Sequence, residues 1–178
     1  MTSSASRGFT LIELMTTIAV LAIGSALAYP SFSNVIKSNR VATSTNNVIA
    51  AFNLARSEAI RSNRGGGVCP SADGLACEGT DWNKGFIAFT DQDGGGTWSP
   101  GDKVIRFFEP NDALAFSAVP LGAAGTTVEV IPFDRTGRPK TRAQLTVKAA
   151  TCKTGQEYVR VIELGPAGQT RMKKDTCA

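Results

Sequence analysis

Apolar residues fill almost every position from Phe9 to Tyr29, and Glu13 is the only charge among them. About 20 such residues let a helix cross a bilayer, so 9–29 reads as a membrane-spanning segment. The pattern then turns amphipathic. Val41, Thr45, Val48, Phe52, Ala55 and Ala59 step by four and three, while Arg40, Arg56, Arg61 and Arg64 fall elsewhere. One long helix over roughly 9–62 follows from this spacing. Pro30 has no amide hydrogen and crowds the preceding turn, which predicts a kink or local melting near 26–30. Gly65-Gly66-Gly67 is the predicted stop.

Beyond Val68 the pattern shortens to β-branched and aromatic runs at 85–90, 103–109, 113–119, 127–133, 143–149 and 158–164. Turn residues separate them, as in Asp73-Gly74, Asp93-Gly94-Gly95-Gly96 and Thr136-Gly137-Arg138-Pro139. The expected class is α+β, a long N-terminal helix with a C-terminal antiparallel sheet forming one head.

Composition narrows the chemistry. The 178 residues include no histidine, which removes the commonest general base and metal ligand. No cluster of Cys, Ser, Lys or carboxylates with a recognisable partner replaces it, so no catalytic residue, cofactor or metal is expected. Asp91, Asp93 and Asp102 hold the first, third and twelfth places of a calcium loop, but Gly95 and Pro100 fit that loop poorly and an acidic hairpin turn is favoured. The formal charge of +4 is unevenly spread: residues 135–178 carry ten Lys or Arg against three carboxylates, +7, leaving −3 on residues 1–134. Cys69 and Cys77, and Cys152 and Cys177, form two local pairs. Four cysteines permit three pairings; disulfides within each local pair are the economical reading, and they imply an oxidising compartment.

A carboxylate in an apolar helix calls for a partner, and an amine on Phe9, or on a neighbouring subunit, would supply one for Glu13. The octapeptide Arg7-Gly8-Phe9-Thr10-Leu11-Ile12-Glu13-Leu14 resembles the type III signal of type IV pilins and type II secretion pseudopilins. The resemblance implies cleavage by prepilin peptidase between Gly8 and Phe9, N-methylation of Phe9, and an assembly contact by Glu13 at the fifth mature position; Pro30 falls at the twenty-second. It divides the chain into a leader at 1–8, a transmembrane and filament-core helix at 9–29, the amphipathic half of that helix at 30–64 and a β-rich head at 65–178.

Within the head, Cys69-Pro70-Ser71-Ala72-Asp73-Gly74, the run from Asp81 through Trp82, Gly85 and Phe86 to Asp91, and Gly101-Asp102-Lys103-Val104-Ile105-Arg106 resemble the GspH/FimT group of minor pilins and pseudopilins. Trp82 and Phe86 read as core aromatics. Some FimT-like pilins bind DNA through a C-terminal Gly-Arg-x-Arg motif. The corresponding stretch here is Gly168-Gln169-Thr170-Arg171, with Gln169 in place of the first arginine and Lys173 and Lys174 following. A second basic string, Gly137-Arg138-Pro139-Lys140-Thr141-Arg142, lies between two expected strands.

If both strings face one way, Arg138, Lys140, Arg142, Arg171, Lys173 and Lys174 would neutralise phosphates and bind duplex DNA in a salt-sensitive, sequence-independent manner. The resemblance thus implies a minor pilin held in the inner membrane by one span. After cleavage it would enter a type IV pilus near the tip, with other pilins, prepilin peptidase and double-stranded DNA as partners and the head in the periplasm or outside the cell. The alternatives are a type II secretion pseudopilin and a purely structural priming subunit.

Overall fold

The computed structural model describes residues 8–122 and 126–178, the side chains at 27–31 excepted. The expected leader therefore lies outside the described residues apart from Gly8. Helix α1 spans Leu11–Ser62. Thr10 caps it: its Oγ1 accepts from the Glu13 amide at 3.3 Å and satisfies one donor that the first turn leaves without a partner. The backbone stays helical across 26–30, so the melting expected at Pro30 does not occur. A proline removes one i→i−4 bond, and its neighbours in the ladder hold the turn.

Leu11, Ile12, Leu14, Met15, Ile18, Val20, Leu21 and Ile23 are all exposed. At about 100° per residue these positions cover the whole circumference of the helix. Among the described residues no helix is long and apolar enough to cross a membrane. The described apolar side chains at 11–26 rise about 24 Å, short of a hydrocarbon core of about 30 Å.

The chain divides into two compact units, the first reaching Lys37 and the second Ser38–Ala178. In the second, Val41, Thr45, Val48, Phe52, Ala55 and Ala59 are all buried, as their spacing requires. The helix ends through Asn63, which adopts the left-handed conformation (φ 54°) and donates its amide to Ile60 O. The glycine triplet expected to stop the helix instead opens strand β1, Gly65–Pro70, which is buried throughout.

A 3-10 turn at Trp82–Lys84 follows, then β2 (Phe86–Asp91), β3 (Lys103–Phe108), β4 (Leu114–Pro120), β5 (Ile131–Asp134), β6 (Ala143–Ala149), β7 (Val159–Leu164) and β8 (Thr170–Asp175). The expected single sheet is two antiparallel four-stranded sheets, ordered β3-β2-β1-β5 and β4-β6-β7-β8. The reading missed β1 and β8, and β5 begins at Ile131 where it was expected at 127. Three glycines carry no strand propensity, and Thr170–Asp175 has no alternation because all but Thr170 are exposed.

Both faces of the first sheet are covered. Phe52 meets Phe133 on the helix side, with ring centroids 6.4 Å apart. On the other side Cys69, Ile87 and Phe89 pack with Trp98, Val104 and Phe107. Disulfides join Cys69 to Cys77 and Cys152 to Cys177, with Cα atoms 5.5 and 5.7 Å apart.

Candidate functional site

The first basic string folds as a turn and the second runs from a turn into β8, and the two turns touch at the end of the head where α1 stops. In the first, Asp134 Oδ1 accepts from the Thr136 amide (2.8 Å), the Thr136 hydroxyl (2.6 Å) and the Arg138 amide (3.0 Å). Gly137 supplies the positive φ of 74° that the turn needs. Burial works against the Asp134 charge, but these hydrogen bonds win and hold its carboxyl below the usual carboxylate range.

In the second turn, Gly165 N donates to Gln169 O at 2.8 Å and Ala167 N to Gln169 Oε1 at 3.1 Å. Gln169, standing where the resemblance has an arginine, is thus occupied in holding its own turn. A Cβ on Gly168 would lie 2.4 Å from Gly137 O, so the two turns are in backbone contact. Arg56 of α1 lies beneath them, its Nη1 donating to Gly168 O at 3.5 Å.

This juxtaposition sorts the six candidate cations. Arg138 is exposed on its turn. Lys140 is tied down, its Nζ donating to Gly94 O at 2.8 Å. Arg142 and Arg171 line one cleft of about 240 Å³, with Leu121, Glu163, Leu164 and Pro166. Lys173 pairs with Glu163 at 2.7 Å, an exposed ion pair that contributes about 0–1 kcal/mol. Strand alternation places Arg171 and Lys173 on one face of the sheet, in register with Glu163 and Val161. Lys174, in register with Arg160, falls on the opposite face and is not brought together with them.

Sequence reasoning missed two contributors. Arg56 was set aside as lying off the apolar face of the helix. Arg64, whose Nη1 donates to Gln92 O at 3.0 Å, joins Arg135 and Lys140 around a second cleft of about 390 Å³. The signal for both was the run of arginines at 56, 61 and 64 closing the helix.

The acidic residues weighed as calcium ligands shape the neighbouring loop. Asp91 accepts from the Gly94 and Gly96 amides, both at 2.8 Å, Asp93 from Gly95 at 2.7 Å, and Asp102 from Gln92 at 2.8 Å and Ser99 at 2.7 Å. Burial pushes the Asp91 carboxyl up, and its hydrogen bond with Asp93 adds to the effect. Among the described residues no group of His, Cys, Asp or Glu is arranged to hold a metal ion. At the other end of the chain, Phe9 and the Glu13 side chain are exposed.

A family model described as type II transport protein GspH matches residues 44–168, and one for the prokaryotic N-terminal methylation motif matches 3–29. No curated protein matches. Among solved structures, the type IV minor pilin FimU of Pseudomonas aeruginosa is 20% identical, with a TM-score of 0.55 over 76% of this chain and 89% of that one. The minor pseudopilin EpsH of the type II secretion system of Vibrio cholerae is 13% identical, with a TM-score of 0.50 over 76% and 94%. These likenesses carry the type IV pilin fold. With the GspH model covering well over half of its length, the chain belongs to the GspH/FimT family of minor pilins and pseudopilins.

Proposed function

We propose that the chain is a minor pilin of a type IV pilus, held in the inner membrane by residues 9–29 before assembly and built into the filament near its tip. The observation that carries this reading is the exposure of apolar side chains around the whole circumference of α1 at 11–23, within the stretch that matches a methylation motif. A helix that is apolar on every side needs lipid or other helices around it. Prepilin peptidase would cut between Gly8 and Phe9, Phe9 would be methylated, and Glu13 would make the charged contact with a neighbouring pilin. Mass spectrometry of protein recovered from filaments is expected to show a chain beginning at methylated Phe9; a first residue beyond Tyr29, or an intact leader in filaments, refutes the assignment.

In this reading the basic end of the head contacts double-stranded DNA during uptake, through Arg138, Lys140, Arg142, Arg171, Lys173 and Lys174. The contact of the two basic turns supports it. Lys173 contributes after leaving Glu163, and Lys174 only from the other sheet face. Full-length protein in detergent is expected to retard duplexes of any sequence at low salt. Arg142→Ala with Arg171→Ala would weaken all of them alike and lower the slope of log affinity against log salt by about 2, at roughly 0.9 per phosphate contact. No retardation at low salt ends the DNA reading and leaves a structural priming subunit.

A second reading, a type II secretion pseudopilin, is favoured by the description of the matching family and by the likeness to EpsH. A deletion that abolishes exoprotein secretion and spares twitching would select it.

A further inference from the structure

Arg64, Arg135 and Lys140 reach the cleft of about 390 Å³ from three separate segments: the end of α1, the turn after β5 and the chain leading into β6. Two of the three are pinned. Arg64 Nη1 donates to Gln92 O at 3.0 Å and to Gln92 Oε1 at 3.1 Å, and Lys140 Nζ donates to Gly94 O at 2.8 Å. A guanidinium and an ammonium each carry several donors, so both groups keep some for a ligand. The Arg135 side chain is exposed and makes no hydrogen bond or ion pair among the described residues. Charges already held in place lose little freedom when a ligand arrives.

None of the three cations is neutralised by a salt bridge, although two carboxylates share the cleft. Among the described residues the ion pairs are Arg61–Glu58 and Lys173–Glu163. Asp134 spends Oδ1 on the donors of its own turn, and Asp93 accepts from the Gly95 amide at 2.7 Å. Three cations against two carboxylates leave the lining at +1, which one phosphodiester would neutralise.

This cleft and the one at Arg142 and Arg171 flank the two touching turns. The first takes Asp134, Arg135 and Lys140 from one turn, the second takes Gly165, Pro166 and Gln169 from the other, and the turns meet at Gly137 and Gly168. Lys140 and Arg142 are two residues apart, so their Cα atoms are separated by no more than about 7 Å. The major groove of B-DNA is about 12 Å wide. A single duplex therefore reaches both clefts at once.

We propose that the Arg64–Arg135–Lys140 cleft is a second phosphate seat, and that a duplex lies across this end of the head with backbone phosphates in both clefts. The proposal rests on the DNA reading and adds Arg64 and Arg135 to its contacts. One head makes the whole contact, so no second copy is needed.

The test measures retardation of duplexes by full-length protein in detergent across a range of salt. Arg64→Ala with Arg135→Ala should weaken binding of every sequence alike and lower the slope of log affinity against log salt by about 2, at roughly 0.9 per phosphate contact. Arg135→Glu alone, which breaks no contact of the fold, should lower it by about 1 or more. Lys148→Ala with Lys153→Ala removes the same charge from exposed positions at and beyond the other end of β6 from Arg142, and should leave the slope at the parent value. Arg64→Lys with Arg135→Lys keeps both charges without the guanidinium that holds Gln92, and should also keep the parent slope. A slope that ignores Arg64 and Arg135, that falls as far with the Lys148 pair, or that lysine fails to keep overturns the proposal and leaves the DNA reading standing. No retardation by the parent protein at low salt removes the DNA reading and this proposal together.

Discussion

Alanine at Trp82 is expected to lower the stability of the head by about 3–5 kcal/mol, the range for deleting a large buried aromatic. The indole is 1% exposed and lies 6.1 Å from the ring of Phe86, which stacks on Phe108 at 4.9 Å and meets Phe116 at 6.1 Å. Phe86 and Phe108 belong to one sheet and Phe116 to the other, so the cluster locks the two together. Trp82 Nε1 also donates to Val128 O at 2.9 Å, and truncation would strand that carbonyl beside a cavity. Urea denaturation of the full chain, followed by near-ultraviolet circular dichroism, measures the loss. Trp82→Phe keeps most of the ring volume and gives up the hydrogen bond, so it should cost less than alanine. A Trp82→Ala chain within about 1 kcal/mol of the parent would show that the sheets are held together elsewhere.

Valine at Gly66 should be nearly as damaging, at about 3 kcal/mol or more, the upper end of what overpacking costs. A Cβ there would lie 2.4 Å from the carbonyl oxygen of Ala55 and 3.2 Å from that of Phe89. Neither can swing aside, because one belongs to the helix and the other to the neighbouring strand. Gly67 faces the ring of Phe89 at 2.6 Å in the same way, so the triplet exists to let β1 lie directly against α1 and β2. Gly101→Val is the matched control, since nothing lies within 4 Å of a Cβ at that position. Equal urea midpoints for the two variants would refute this account of the triplet.

The helix was legible because its apolar positions repeat with one period from Val41 to Ala59, and every one of them is buried. The strands with branched or aromatic residues were legible for the same reason, and a tryptophan such as Trp82 is costly to leave in water. What escaped was set by partners distant in sequence. Gly65-Gly66-Gly67 reads as a helix stop until Ala55 is seen above it. Thr170–Asp175 reads as a charged loop until β7 supplies its hydrogen bonds. At the basic end, the meeting of the 137 and 168 turns depends on a backbone contact between glycines that leaves no trace in composition. The separation of Lys174 from Lys173 follows from the pairing of β8 with β7, whereas the Gln169 brace is a local contact with Gly165 and Ala167 that the resemblance to an arginine position hides.

The Cys152–Cys177 bridge binds the residues just beyond β8 to the β6–β7 connection. β8 is an edge strand, and where identical heads crowd together such a strand is the piece most easily exchanged between neighbours. Covalent anchorage forbids that domain swap unless the bridge is reduced, so every oxidised head keeps its own last strand.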